Sequence, residues 1–382
     1  MSIAAIICEY NPMHKGHIYQ ISKIKAALDN PDIICVMSGH FVQRGGAAIF
    51  DKWTRAKIAA ENGADLVLQL PEYFSSQSAE IFAKGAVNLI NDVHIASHLC
   101  FSAESKTGSA LDAMHDNFKQ NQKLFNIALQ KYLEAGLSYP VSLAKAAEEC
   151  GLETLKNPND ILGFEYVKAL KARNSSVKPF VIKRDTDALS SAAIRKLLHE
   201  NTSLAHFHMA GDTAVSKHCV FSEDFLNLIK YAVLSNQEKL EEIFEINEGL
   251  ENILLKSCQN SSSLDEIIMR IKSKRYTYAK IQRILFNVLL DVRKTDIERI
   301  KAHNFKVPYA RILAFTENGR RLIKNIKENS DLQIINKAAN YTPPDDYSKL
   351  IFDKDIYATE IYNIISAKKL NDFKLSPVYA KL

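Results

Sequence analysis

The sequence predicts an α/β protein, with a Rossmann-like parallel sheet in its first half followed by a mostly helical C-terminal domain. In the first half, short apolar runs alternate with stretches of helical periodicity, which is typical of right-handed βαβ units. After about residue 215 the helical stretches continue, but few strand candidates remain. Because 382 residues is long for one domain, we expect one domain over residues 1–212 and a second over residues 213–382.

The individual elements follow from the same patterns. Five apolar runs are predicted as strands: Ile3–Ile7, Ile33–Met37, Leu66–Leu68, Ile95–Phe101 and Phe180–Ile182. Helical periodicity predicts helices over His17–Leu28, Lys52–Asn62, Ser78–Asn91, Thr107–Ala135, Tyr139–Cys150, Asp160–Arg173 and Ser190–His199. Beyond the boundary, helices or helical turns are predicted over Phe221–Leu234, Leu240–Phe244, Asn247–Ser257, Ser263–Ser273, Thr277–Leu290, Tyr309–Ile312, Asn318–Ile326 and Asp353–Ala367.

Composition restricts the class of protein. The net charge of +5 is mildly basic, which permits a nucleic-acid partner without requiring one. Six cysteines lie far apart and form no C-x-x-C pair, so we expect reduced thiols and no metal site. No segment has the length of a transmembrane helix, and the N-terminus lacks the basic residues of a leader. We therefore expect a soluble, cytoplasmic protein with no membrane partner.

The most informative segment is an H-x-G-H turn directly after the first strand. His14 and His17 lie where a buried strand turns through Asn11-Pro12 into a helix, and Gly16 allows the backbone to approach a phosphate. A helix N-terminus offers free N–H groups, and two imidazoles can donate hydrogen bonds to a phosphoryl group. We predict that both histidines act at the α-phosphate of ATP. The alternative is that they only cap a surface helix.

Two further segments are candidates for contacts with the ligand. Ser190, Ser191 and Arg195 open a helix and, together with Arg184, are candidates for holding the outgoing pyrophosphate. Taken alone, this segment is equally consistent with an ordinary helix cap. The loop after the second strand is predicted to contact substrate or phosphate through Ser38, Gly39, Gln43 and Arg44, and the alternative is a polar loop. The charges of Asp51–Arg55 are consistent with a solvated first helical turn.

Basic residues dominate the region from Arg270 to Asn325. Tyrosines are interleaved with them, and this composition is typical of a surface that follows a nucleic-acid backbone. The candidates for RNA contact are Lys274, Arg275, Arg283, Arg311, Arg320 and Arg321. A solvated helical face balanced by acidic residues elsewhere is the alternative.

Distinctive motifs are spread over most of the chain. The first 83 residues contain E-Y-N-P-x-H-x-G-H, M-S-G-x-F-V-Q-R-G, D-K-W-T-R, G-A-D-L-V-L-x-L-P and Q-S-A-E-x-F-A, and N-D-I-L-G-x-E-Y, S-K-R-Y-T and P-Y-A-R-I-L follow. Together they resemble the motifs of the bacterial tRNA(Met) cytidine acetate ligase family, a branch of the H-x-G-H nucleotidyltransferases. Nucleotidyltransferases also pair the first turn with a later S-[ST]-x-x-I-R helix start, which Ser190–Arg195 matches.

This resemblance implies a ligase that forms acetyl-adenylate from acetate and ATP. The acetyl group then passes to N4 of the wobble cytidine of elongator tRNA(Met), giving N4-acetylcytidine without acetyl-CoA, and Mg²⁺ is expected to accompany ATP. The family's ATP contacts correspond to Ile7, Cys8, Glu9, Tyr10, Asn11, Pro12, Met13, His14, Lys15, Gly16, His17, Ile18, Tyr19, Gln20, Ser102, Asn159 and Arg184. The chain departs from the family where Ser102 replaces a glycine, His40 an asparagine, Gln20 a histidine, and Gly46-Ala47 a Glu-Pro pair.

Two other functions are compatible with the same turn. A small-molecule adenylyltransferase of this fold would not need a long basic helical domain. A non-catalytic RNA-binding protein with a relict nucleotide pocket would not need the intact His14, Gly16 and His17. Both features favour the tRNA ligase.

Overall fold

A mixed β-sheet with helices on both faces forms the centre of the molecule. The computed structural model describes residues 2–137, 139–153, 155, 157–185, 187–200, 204–210, 219–247 and 249–381. Within these residues, the strands are β1 (Ile3–Cys8), β2 (Asp32–Ser38), β3 (Leu66–Leu70), β4 (His98–Ala103), β5 (Lys178–Lys183), β6 (Tyr309–Phe315), β7 (Gln333–Ile335) and β8 (Val378–Tyr379). The strand order is β5-β4-β1-β2-β3-β6-β7, and β8 also pairs with β6.

Helices connect and cover these strands. Up to residue 210 they are α1 (Lys15–Ala27), α2 (Lys52–Glu61), α3 (Glu72–Ser75), α4 (Ala79–Asp92), α5 (Gly108–Gln120), α6 (Gln122–Glu134), α7 (Tyr139–Glu149), α8 (Pro158–Ala172), α9 (Ser191–His199) and α10 (Leu204–His208). Beyond residue 219 they are α11 (Leu226–Ser235), α12 (Leu250–Gln259), α13 (Leu264–Ile271), α14 (Tyr278–Leu289), α15 (Lys294–Ala302), α16 (Glu317–Asn329) and α17 (Asp346–Ile365). Within the described ranges, no helix is long and apolar enough to cross a membrane.

Strand β1 shows why its sequence is apolar throughout. Successive side chains of a strand point to opposite faces of the sheet. Ile3, Ala5 and Ile7 accordingly join one core cluster, whereas Ala4, Ile6 and Cys8 join the other. Because helices cover both faces, every residue of this strand is buried.

The order of the parallel strands identifies the edge where a ligand is expected. Strands β1 to β5 run parallel, with β2 and β3 on one side of β1 and β4 and β5 on the other. The connections therefore reverse direction between β1 and β4. Ligands of such sheets bind beyond the carboxyl ends of the strands at this reversal. The predicted α/β fold with a Rossmann-like parallel sheet is confirmed.

Two predicted elements are wrong. Tyr309–Ile312, predicted as helical, begins β6, which pairs antiparallel with β3 and carries β7 and β8 beside it. A short apolar run has no clear period, and only the pairing with β3 shows that it is extended. The single helix predicted over Thr107–Ala135 is two helices, α5 and α6, separated at Asn121. The predicted boundary between residues 212 and 213 lies outside the described residues, and strands from beyond it complete the first sheet.

Candidate active site

The H-x-G-H turn lies at the carboxyl end of β1 and holds its two histidines close together. His14 is the N-cap of α1, and its Nδ1 accepts a hydrogen bond from the backbone N–H of Gly16 at 3.1 Å. The Nδ1 of His17 accepts from the backbone N–H of His14 at 3.2 Å. The two rings lie with their centroids 3.8 Å apart. Because both Nδ1 atoms are acceptors, the proton of each neutral ring resides on Nε2, which remains a donor.

Burial keeps both imidazoles neutral. It lowers the pKa of His14 to about 4, and the positive charge of Arg184 contributes to the same shift. Burial likewise holds the pKa of His17 well below its usual value, with smaller contributions from His14 and Arg184. Near pH 7 the pair therefore offers two N–H donors without a net charge. Such a pair can bind phosphoryl oxygens through hydrogen bonds.

Helix α9 holds this turn in place through its first residues. Ser190 caps the helix by accepting from the backbone N–H of Ala193 at 3.2 Å. The hydroxyl of Ser191 donates to the carbonyl oxygen of Pro12 at 3.3 Å, and Nη1 of Arg195 donates to that of Asn11 at 2.7 Å. In this structure Ser191 and Arg195 therefore contact the turn, and Ser190 caps the helix that carries them. Their contact with pyrophosphate stays a prediction.

Three other predicted ATP contacts lie on the β4 side of the strand reversal. Ser102 lies near the end of β4, Asn159 in the first turn of α8, and Arg184 directly after β5. Sequence reasoning missed the residue that joins two of them. The carboxylate of Glu104 accepts from Nδ2 of Asn159 and from Nη1 of Arg184, both at 2.8 Å. Glu104 lies two residues after Ser102, but its partners are 55 and 80 residues away along the chain.

A buried arginine joins the turn to the loop that follows β2. Nη1 of Arg55 donates to the carbonyl oxygen of Glu9 at 2.5 Å, and Nη2 donates to those of Ser38, at 3.1 Å, and Gly39. The interpretation of Asp51–Arg55 as a solvated first turn is wrong, since Lys52 and Arg55 are both buried. No periodic signal identifies them, because a charged residue early in a helix usually faces water.

The same loop contacts the C-terminal helices. A Cβ at Gly45 would lie 2.5 Å from Cα of Arg283 on α14, and Gln282 donates a hydrogen bond to the carbonyl oxygen of Gly45. The backbone N–H of Gln43 donates to the carboxylate of Glu9 at 2.9 Å. Arg44 is exposed at the edge of this loop. The loop after β2 therefore lies between the H-x-G-H turn and α14.

The six basic residues predicted for RNA contact differ in exposure. Arg311 is only 3% exposed and pairs with Asp372, so its assignment to an RNA-binding surface is wrong. It lies on β6, where the sheet and the C-terminal segment cover it. Arg283 is largely covered and pairs with Glu245 at 3.1 Å. The exposed members of the set are Lys274, Arg275, Arg320 and Arg321.

Known proteins share this architecture along the whole chain. A model of the HIGH Nucleotidyl Transferase family matches residues 1–375. The tRNA(Met) cytidine acetate ligase of Clostridium novyi (strain NT) is 37% identical, with all of both chains covered. That of Alkaliphilus metalliredigens (strain QYMF) is 34% identical, covering 100% of this chain and 99% of the relative.

A solved structure agrees with these relatives. The crystal structure of Thermotoga maritima TmcAL bound with α-thio ATP superimposes with a TM-score of 0.91 at 27% identity and full coverage of both chains. The ligand-free form of that protein gives the same values. The turn at His14–His17 and its supporting residues are thus those of a nucleotidyltransferase fold. The chain belongs to the HIGH nucleotidyl transferase family and, within it, to the tRNA(Met) cytidine acetate ligases.

Proposed function

We propose that this protein is an ATP-dependent ligase that acetylates N4 of the wobble cytidine of elongator tRNA(Met). The observation that carries this proposal is the neutral pair of His14 and His17 at the carboxyl end of β1, in a chain that belongs to the tRNA(Met) cytidine acetate ligases. ATP binding is supported by the related structure that holds an ATP analogue. Acetate, acetyl-adenylate and the individual contact residues are the finer parts of the proposal.

The geometry favours the α-phosphate at the start of α1. There the Nε2–H groups of His14 and His17 are donors, and the positive end of the α1 dipole lies beside them. Gly16 keeps the approach open, because a Cβ there would lie 3.0–3.1 Å from His14 and Ala188. We place the nucleotide across the strand reversal, toward Ser102, Asn159 and Arg184.

In the first step, a carboxylate oxygen of acetate forms a bond to the α-phosphorus. The bond from that phosphorus to the oxygen bridging the α- and β-phosphates breaks, and pyrophosphate leaves with the electron pair. Neither histidine needs to exchange a proton, since each only donates a hydrogen bond to the phosphoryl oxygens, where charge accumulates. Mg²⁺ entering with ATP would offset charge on the triphosphate.

In the second step, the N4 amino nitrogen of cytidine attacks the acetyl carbon. AMP leaves with the electron pair, and one N4 proton passes to solvent. The acceptor base must reach the adenylate, and bases of an anticodon loop can be splayed out. The close approach of Gly45 and Arg283 brings the loop after β2 against the helix that follows Lys274 and Arg275. RNA held by those exposed residues would lie next to this loop.

One assay tests the activity and separates it from its alternatives. The protein is incubated with ATP, Mg²⁺, labelled acetate and total bacterial tRNA, and the RNA is digested to nucleosides. We expect label in N4-acetylcytidine. ATP turnover only with an added small-molecule acceptor would support an adenylyltransferase, and RNA binding without ATP turnover would support a relict pocket.

A variant pair tests the role of the turn. His14→Ala should abolish acetate-dependent exchange of pyrophosphate into ATP, because it removes the phosphoryl contact together with the cap of α1. It should leave tRNA binding within about twofold, because the exposed basic residues are unchanged. His94→Ala is the matched control, since His94 is exposed and lies in the segment before β4. Exchange that survives in His14→Ala would show that the catalytic assignment is wrong.

A further inference from the structure

The carboxylate of Glu104 connects two side chains that the proposed ATP site requires. Its Oε1 accepts from Asn159 Nδ2 and from Arg184 Nη1, each at 2.8 Å. Asn159 belongs to α8, whereas Arg184 follows β5 and is itself held by a hydrogen bond from its backbone N–H to the carbonyl oxygen of Ala103 at 3.2 Å. A single oxygen atom therefore sets the relative positions of two residues from separate elements.

The neighbouring carboxylate of Asp160 has a different role. Its Oδ1 accepts from the backbone N–H groups of Glu104 and Ser105, at 2.9 and 3.2 Å. Its Oδ2 accepts from the Ser105 hydroxyl at 2.6 Å and from Asn157 Nδ2 at 3.0 Å. Asp160 thus fixes the backbone that carries Glu104. Both of its oxygens are used within the fold.

Glu104 uses its carboxylate in another way. Oε1 makes the two contacts with Asn159 and Arg184, while Oε2 is enclosed and has no partner among the described residues. The contacts of Glu104 are thus confined to one oxygen, in contrast to those of Asp160. The arrangement is suited to holding Asn159 and Arg184 in one geometry before the nucleotide arrives, which reduces the ordering cost of binding.

We propose that Glu104 is a positioning residue of the ATP site, which acts by holding Asn159 and Arg184. This inference rests on the proposed function, since it requires that both residues contact ATP. The side chain of Arg184 remains 40% exposed despite its contact with Glu104, so it is accessible to a ligand. Because Glu104 acts through Asn159 and Arg184, removing its carboxylate should weaken ATP binding only when both of those side chains are present.

A mutant cycle tests this dependence. The variants are Glu104→Ala, the double variant Asn159→Ala with Arg184→Ala, and the triple variant, each assayed for equilibrium ATP binding and for kcat and KM in acetate-dependent pyrophosphate exchange. We expect Glu104→Ala to weaken ATP binding and raise the KM for ATP by about tenfold, with kcat within about twofold. In the double-variant background, the same substitution should have no further effect on ATP binding. Glu104→Gln keeps one acceptor oxygen and should restore part of the affinity.

Two controls separate positioning from structure. Glu153→Ala removes an exposed carboxylate that pairs with Lys106, and it should leave ATP binding unchanged. Asp160→Asn should lower the melting temperature, whereas Glu104→Ala should lower it little. If the melting temperature of Glu104→Ala fell as far as that of Asp160→Asn, the positioning role would be contradicted.

The possible outcomes are distinct. If the wild-type protein fails to bind ATP, the proposed function and this inference are both wrong. If wild type binds ATP but Glu104→Ala binds it equally well, only the inference is wrong. A further decrease in ATP affinity in the triple variant would show that Glu104 acts on ATP directly, which also contradicts positioning through Asn159 and Arg184.

Discussion

Lys52 Nζ lies 2.8 Å from Asp372 Oδ1, and both side chains are buried. The guanidinium of Arg311, on β6, contacts the same carboxylate oxygen. These contacts tie the C-terminal segment to the sheet and to α2, whose Lys52 lies 320 residues before Asp372. One acidic group thus compensates two buried cations.

Asp372→Asn should therefore destabilise the protein more than Lys52→Met. The first change leaves two buried cations facing each other, at a cost of about 3–5 kcal/mol for a broken buried pair. The second leaves Asp372 paired with Arg311. The free energies of unfolding in urea give the comparison, and equal losses would show that Arg311 does not share the carboxylate in solution.

Gly45→Ala should damage both stability and acetylation. Gly45 has a φ of +71°, and a Cβ there would lie 2.5 Å from the backbone of Arg283. Gly136→Ala is a matched control, since its φ is +78° but nothing lies within 4 Å of the added carbon. The free energy of unfolding of Gly136→Ala should fall only by the strain of a left-handed backbone, about 1–2 kcal/mol. A similar loss of stability and activity in both variants would show that the contact with α14 is unimportant.

Stability should fall with rising pH because of Glu72. Burial raises the pKa of this carboxyl to about 8, and the charge of Asp355 adds to the shift. The pKa of Glu72 in the folded state exceeds the unfolded value of 4.5, so folding favours the protonated carboxyl. The contribution of Glu72 to the free energy of unfolding is therefore complete below pH 4.5 and is lost as the pH rises toward 8.

Denaturation of wild type and Glu72→Gln at pH 5, 6, 7 and 8 checks this dependence. The stability of wild type relative to the variant should fall by at most about 1.4 kcal/mol per pH unit. Glu61→Gln, which changes an exposed carboxylate, should show no such slope. A wild-type curve parallel to that of Glu72→Gln would contradict the prediction.

Lys274→Ala combined with Arg275→Ala should weaken tRNA binding. Both side chains are exposed in the segment before α14. Each cation that neutralises a phosphate makes the affinity for tRNA more sensitive to salt, so removing two cations should reduce that sensitivity. The slope of log K against log salt should decrease by about one to two. Lys119→Ala with Lys123→Ala removes the same charge from the exposed face of α5 and α6 and serves as the control. If the two double variants lost tRNA affinity equally, the loss would reflect only the change in net charge.

The features that could be predicted from sequence depend on neighbours along the chain. Strand β1, the turn and α1 lie within 25 consecutive residues, so an apolar run, a proline and a glycine are sufficient to identify them. The same holds for the cap at Ser190, whose partner is Ala193. Charge composition also identified Lys274 and Arg275 as exposed basic residues, but it could not distinguish them from the buried Arg311.

The remaining features depend on contacts between distant segments. Tyr309–Ile312 becomes a strand because β3 supplies its hydrogen-bond partners. Arg55 is buried because its guanidinium donates to the backbone carbonyl oxygens of Glu9, Ser38 and Phe50. Glu104 meets Asn159 and Arg184 only when α8 and β5 pack beside β4.

The local sequence was thus enough to establish the strand–turn–helix unit, the two histidines at the helix start and the family. The folded chain alone established which charges are buried, which strands complete the sheet and which carboxylate holds the residues around the predicted ATP site. The physical reason is that backbone conformation responds mainly to adjacent residues, whereas burial and ion pairing depend on what packs against a side chain.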